Sequence, residues 1–146
     1  INVIKRFWTA IGMQIETMDA EHHDRVLAMS SHIPQLIAYS MVSTAIELET
    51  HLKDEVIKYS AAGFRDFTRL AGSDPIMWRD VYSLNKDAVL EMLNKFTKDL
   101  STLQKAIRNN DLTFLEETFR TTRKVRKTIE ELGQAGSFDP RENKKK

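Results

Sequence analysis

No cysteine occurs among the 146 residues, which excludes disulfide staples, thiolate zinc sites and cysteine nucleophiles. An excess of charge of one sign is lacking as well. The 22 basic and 21 acidic residues leave a formal net charge of +1, so nothing invites a polyanionic partner. Long hydrophobic runs are absent: no segment approaches the roughly 20 apolar residues of a membrane span, and no signal peptide opens the chain. Glycine is sparse, at five residues, and forms no Gly-x-Gly-x-x-Gly. There is also no phosphate loop and no nucleophile–base arrangement. The chain by itself therefore offers no catalytic residue, no cradle for a pyrophosphate and no cofactor site.

What is present fits one soluble domain. Hydrophobic residues make up 41%, enough for an ordinary core, and the 29% charged residues argue against a membrane protein. The absence of cysteine fits a cytoplasmic location. The chain opens at Ile1 rather than methionine and enters an apolar pattern at once, which reads as a truncation or an excised domain.

Periodicity gives an almost wholly helical chain. Val3, Ile4, Phe7, Trp8 and Ile11 fit a short helix stopped by Gly12. Met13 to Met18 alternates apolar and polar residues, the pattern of a strand with one buried face. A lone strand has no partner in a helical chain, so residues 1–18 read as the end of a preceding sheet domain. Asp19 caps a long helix running to about Leu52, which Pro34 should bend near Ser30. A second helix spans about Ser60 to Ala71, and Ser73-Asp74-Pro75 starts a third, reaching about Ser83. From Asn85, the residues Val89, Leu93, Phe96, Leu100, Leu103 and Ile107 form a heptad seam that must bury itself against another helix, in this chain or a second copy. Asn109-Asn110-Asp111 is a turn and cap before a last helix from Leu112 to about Leu132. Residues 133–146 are a polar, basic tail expected to be disordered.

The densest chemistry lies in Gly63-Phe64-Arg65-Asp66-Phe67-Thr68-Arg69-Leu70 and the following Ser73-Asp74-Pro75-Ile76-Met77-Trp78-Arg79-Asp80. Arg65 and Arg69, four apart, project from the same side of a helix. Asp66 beside Arg69 can orient its guanidinium, and Gly63 permits close backbone approach. An arginine fork grips a carboxylate bidentately, as lysine cannot. The competing account is a solvated face with a local ion pair.

A second stripe runs Arg25, His32, Gln35, Tyr39 and Ser43 on the long helix. It is either the solvent side of an amphipathic helix or the lining of a substrate cleft. His22 and His23 diverge by about 100° on a helix and have no histidine four residues away, so capping explains them better than metal binding. The basic residues Arg120, Arg123, Lys124, Arg126 and Lys127 interleave with Glu116, Glu117, Glu130 and Glu131 without stacking aromatics, which describes a solvated face and not a nucleic-acid surface.

Three blocks in order carry a resemblance: Met18 to Ala28, Ser31-His32-Ile33-Pro34-Gln35-Leu36-Ile37-Ala38-Tyr39, and Gly63 to Asp80. Together with Phe7-Trp8 and Gly12, over about residues 5 to 130, the chain resembles the C-terminal helical half of the prephenate/arogenate (cyclohexadienyl) dehydrogenases of tyrosine biosynthesis. The resemblance implies an all-α, interlocked dimerisation domain like the C-terminal domain of 6-phosphogluconate dehydrogenase. A short helix and strand would be left over from a missing Rossmann domain. Residues 1–18 are then the end of the dinucleotide-binding domain, residues 19–132 the helical dimerisation and substrate-binding domain, and residues 133–146 the tail.

The full enzyme implied uses NAD or NADP to oxidise a ring hydroxyl by hydride transfer, with loss of the ring carboxylate as carbon dioxide. The fragment alone would be inactive and bind no cofactor. By the resemblance, Arg69 grips a carboxylate of prephenate or arogenate, Arg65 and Asp66 lie near the same pocket, and Trp78 reaches toward the other subunit of a homodimer. Many relatives read Ser-His-x-Pro-His, whose second histidine contacts substrate or the inhibitor tyrosine; Gln35 stands there in this chain. Glutamine donates and accepts hydrogen bonds but carries no charge, which leaves the choice between prephenate and arogenate open. The alternatives are a non-catalytic helical dimer sensing a small anion such as tyrosine, and the C-terminal half of another two-domain dehydrogenase.

Overall fold

The computed structural model describes residues 1–48 and 50–133, apart from the side chains of Thr50 and His51. Helix α1 spans Asn2–Ala10. It ends as the glycine signal predicts: Gly12 has φ +88°, its N–H donates to Thr9 O, and the Met13 N–H donates to Trp8 O, both at 3.0 Å. This pair of bonds is a Schellman closure, in which the left-handed residue carries no Cβ.

The expected strand over Met13–Met18 does not form. A strand needs a partner to exchange ladder bonds, and among the described residues there is no strand at all. The alternating apolar side chains Met13, Ile15 and Met18 are left exposed.

Helix α2, Ala20–Leu27, begins where Asp19 accepts the His22 N–H at 2.9 Å. That hydrogen bond holds the Asp19 carboxyl below its ordinary pKa. The bend expected from Pro34 appears as a π-helical segment, Ala28–His32, before α3, Ile33–Ile46. Pro34 has no N–H to give to Ser30. The preceding Ile33 N–H instead reaches back five residues to Ala28 O, so the π turn accommodates the missing donor.

The long helix expected to reach Leu52 stops at Ile46, and Leu52 belongs to α4, Thr50–Lys58. The helix end carries no glycine or proline. Its last N–H, from Glu47, is shared between Ser43 O and Thr44 O at 3.3 Å each, and the Thr44 hydroxyl turns back on Ser40 O.

Helix α5, Ala62–Thr68, runs into a 3-10 turn, Arg69–Gly72. Asp74 then caps α6, Pro75–Leu84, by accepting the N–H groups of Ile76 and Met77 at 2.8 and 2.9 Å. Proline in the first turn costs no intrahelical bond. Helix α7 covers Lys86–Arg108 and α8 covers Leu112–Glu131. Between them Asn110 takes φ +52°, and Asp111 caps α8 through the Phe114 N–H at 3.0 Å. Residues 134–146, expected to be a disordered tail, lie outside the described residues.

The chain divides into two units, Ile1–Lys95 and Phe96–Lys146, with the division inside α7. The core of the first unit is built on Ala28, Ile33, Ala38, Ala45 and Val89. Small residues dominate it, letting α3 sit close against its neighbours. In the second unit Ala106 is buried; the heptad seam is covered at Val89 but lies open further along α7, where Leu100 is 53% and Ile107 67% exposed.

Candidate functional site

The middle of the stripe is buried, while its ends, Arg25 on α2 and Ser43 on α3, are exposed. His32 and Gln35 are at 8% and 3% exposure, and His32, Gln35 and Tyr39 each meet the segment 69–85, whereas Arg25 bonds to Glu91. The Gln35 amide donates through Nε2 to Leu70 O at 2.7 Å. The Tyr39 hydroxyl donates to Ser73 O at 3.0 Å. Leu70 O also accepts the Ser73 N–H and the Ser73 hydroxyl. The 3-10 turn that carries Arg69 is therefore pinned to α3 from one side and closed on itself from the other. Facing an acceptor fixes the orientation of the Gln35 amide, so Oε1 is the end left for another partner.

Around His32 the stripe meets α6. Trp78 stands edge-on to the His32 ring, with centroids 5.9 Å apart at 80°, and Tyr82 does the same at 6.5 Å and 81°. The Tyr82 hydroxyl donates to His32 O at 3.1 Å. Asn85 Nδ2 lies 2.8 Å from Asp24 O and 3.2 Å from His32 Nδ1. Burial pushes the His32 pKa down, against a smaller opposing pull from Asp24, and pushes the Tyr82 phenol up to about 12. Trp78, Tyr82 and Asn85 follow a 4, 3 spacing, one face of a helix and its end. Tyr82 and Asn85 were not singled out from the sequence, although this spacing, set opposite the 3, 4 spacing of His32, Gln35 and Tyr39, was the signal available. Trp78 Nε1 is buried without a hydrogen-bond partner among the described residues.

The arginine cluster is placed largely as its spacing predicts. The Arg69 N–H bonds to Arg65 O, so the two residues lie one α-turn apart, and both are exposed. Asp66, expected to hold Arg69, pairs instead with Arg65, at 3.8 Å between Oδ1 and Nε. Asp66 belongs to α5 proper and Arg69 to the tighter 3-10 turn, so its nearest guanidinium is the sequence neighbour. At Gly63 a Cβ would meet nothing of this chain within 4 Å, so the backbone there is open on the side a side chain would occupy. The structure thus brings His32, Gln35 and Trp78 together beside the turn bearing Arg69, with Arg65 and Asp66 on the exposed flank of α5.

Residues 19–121 match the family described as prephenate dehydrogenase, dimerization domain. The chain belongs to this family. All seven expected site residues, and Tyr82 and Asn85 with them, fall inside the matched span, whereas α1 and the extended 13–18 segment precede it. Among family relatives, cyclohexadienyl dehydrogenase of Zymomonas mobilis is 40% identical over 126 residues, 86% of this chain and 43% of that protein. Prephenate dehydrogenase of Bacillus subtilis is 34% identical over 126 residues, 86% of this chain and 34% of that protein.

Among solved structures, prephenate dehydrogenase from A. aeolicus in complex with hydroxyphenyl propionate and NAD+ aligns with a TM-score of 0.81 at 36% identity, covering 88% of this chain and 44% of that one. Synechocystis arogenate dehydrogenase aligns with a TM-score of 0.81 at 20% identity over 88% of this chain and 46% of that one, a likeness of fold. The chain spans less than half the length of these dehydrogenases. The all-α dimerization fold that the resemblance implied is therefore the fold found.

Proposed function

We propose that this chain is the dimerisation and substrate-binding domain of an NAD(P)-dependent prephenate/arogenate dehydrogenase of tyrosine biosynthesis, acting as a homodimer in the cytoplasm. The observation that carries this is the family match over residues 19–121, joined to an arginine-bearing turn braced by the buried His32–Gln35 stripe. The named activities of the Zymomonas and Bacillus relatives support the reaction class. Residues 1–18 are assigned to the end of a dinucleotide-binding domain. No helix among the described residues is long and apolar enough to cross a membrane.

The described residues do not themselves fit a dinucleotide. They contain no strand running into a glycine-rich turn, the arrangement that approaches a pyrophosphate. The nicotinamide is therefore assigned to residues outside this chain's helices. What this chain contributes is binding and orientation. Arg69 offers its guanidinium fork to the substrate carboxylate, Arg65 adds a second positive charge, and Asp66 orients Arg65. Gln35 holds the turn from behind through Leu70 O. His32 and Trp78 form the adjoining wall, and tyrosine, as a product-like inhibitor, would meet the same side chains.

Dimerisation is supported by uncovered apolar surface. Leu100, Ile107, Leu112, Phe119 and Val125 are each more than half exposed in the single chain, a pattern that marks an interaction site. Obligate interfaces bury upward of about 2,000 Å². Sedimentation equilibrium at micromolar concentration is expected to return the mass of a dimer. A well-folded monomer at that concentration would refute the assignment.

A further inference from the structure

We propose that Asn85 is a positioning residue that holds His32 as the neutral tautomer carrying its proton on Nε2. The carbonyl oxygen of Asp24 only accepts hydrogen bonds. Its contact with Asn85 at 2.8 Å must therefore come from the amide nitrogen, and this fixes the Asn85 amide orientation. The same nitrogen lies 3.2 Å from His32 Nδ1. An amide nitrogen has two N–H groups and no acceptor lone pair. One N–H goes to Asp24 O, the other to His32 Nδ1, so Nδ1 presents a lone pair and the ring proton sits on Nε2.

Nothing around the ring rewards a positive charge strongly enough to reverse this. Trp78 and Tyr82 meet the ring from α6, and the Tyr82 hydroxyl is committed to His32 O. Of the charged groups nearby, Asp24 favours protonation and His23 opposes it, and burial outweighs both. Asn85 is itself 9% exposed, so both partners are removed from the solvent that would otherwise exchange tautomers. The C-terminal cap of α6 and the π segment are thereby joined by a bond that also sets the chemistry of the ring. His32 offers a ligand a neutral N–H donor rather than a lone pair or a cation. What that donor meets rests on the proposed function; the tautomer does not.

The test uses the full 146-residue chain without ligand, labelled with nitrogen-15, and reads the His32 ring nitrogens by long-range proton–nitrogen correlation near neutral pH. The expected spectrum shows Nε2 protonated and Nδ1 unprotonated. A ring protonated at Nδ1, or at both nitrogens, overturns the proposal. In Asn85→Asp a carboxylate that can only accept faces the ring, so His32 should gain a proton at Nδ1; in Asn85→Ser the two tautomers should mix. Spectra unchanged in both variants overturn the role of Asn85. Should neither variant fold, a scalar coupling across the Asn85 N–H to His32 Nδ1 bond in the wild type supports the proposal, and its absence overturns it. In the assembled dehydrogenase, Asn85→Asp should raise KM about tenfold, the equivalent of one 1.4 kcal/mol hydrogen bond, with kcat changed far less. An unchanged KM removes the positioning role even where the tautomer is as stated. Because the spectra need no substrate, they stand or fall separately from the reaction assigned to the chain.

Discussion

Gln35 donates through Nε2 to the carbonyl of Leu70 at 2.7 Å, across 35 residues of sequence. Together with the Tyr39 hydroxyl on Ser73 O, this bond fastens α3 to the 3-10 turn whose first residue is Arg69, so Gln35 braces that turn from behind.

Gln35→Leu should therefore destabilise the chain by about 0.5–1.5 kcal/mol, the net contribution of one hydrogen bond. Leu70 O keeps its two bonds from Ser73, which limits the loss. A shift of the urea midpoint at unchanged m-value measures it. Were Gln35 on a solvent face, the change would stay within about 0.5 kcal/mol of zero.

His32 gives a pH dependence of definite sign. Its folded pKa lies below the ordinary value of 6.5, chiefly through burial. The unfolded chain then binds more protons in the window between the two values, so stability is present above about pH 6.5 and is lost as pH falls through the lower folded value. Unfolding free energies measured between pH 7 and pH 5 should decline in the wild type and decline less in His32→Gln. Equal slopes would remove His32 as the cause.

Tyr82 acts at the opposite end of the scale. Its phenol is raised to about 12, first by burial and then by Tyr39, so the stability it contributes is present below pH 10 and is lost as pH rises through 12. Tyr82→Phe removes the bond to His32 O and should cost about 0.5–1.5 kcal/mol at neutral pH. Spectrophotometric titration of the folded wild type should show a phenol ionising only near pH 12, absent from Tyr82→Phe.

The elements legible from sequence were those with a chemical signature at their ends. Asp19, Asp74 and Asp111 cap helices as expected, Gly12 closes α1, and Pro34 marks the π segment. The break after Ile46 was not legible, because the apolar pattern runs on through Leu48 and Leu52 without glycine or proline. Met13–Met18 carried the period of a strand, but alternation describes a face and not a partner, and no partner strand is present among the described residues. At the site, the residue types of the His32–Gln35 stripe were legible and their burial was not, since a polar stripe on a helix looks the same whether it meets water or another helix's carbonyls. Asn85 was passed over as a helix start because its role depends on Asp24 and His32, 61 and 53 residues away.

The interface can be probed apart from the site. Leu100→Glu and Ile107→Glu alter side chains that are 53% and 67% exposed in the single chain, so a monomeric chain should tolerate them within about 0.5 kcal/mol. If α7 forms the dimer seam, each should shift sedimentation toward monomer and lower the thermal midpoint in a concentration-dependent way.

The proposed carboxylate grip of Arg69 is tested most directly by KM in the full-length dehydrogenase proposed to contain this chain. A charge-assisted hydrogen bond contributes about 1.5–3 kcal/mol, so Arg69→Ala should raise KM for prephenate or arogenate on the order of 10- to 150-fold. The change in kcat should be much smaller if substrate and transition state are held alike, and Arg69→Lys should restore only part of the loss. A KM within about twofold of wild type for both substrates would place Arg69 in an ordinary surface ion pair, of about 0–1 kcal/mol, and would contradict the substrate-binding role assigned to this chain.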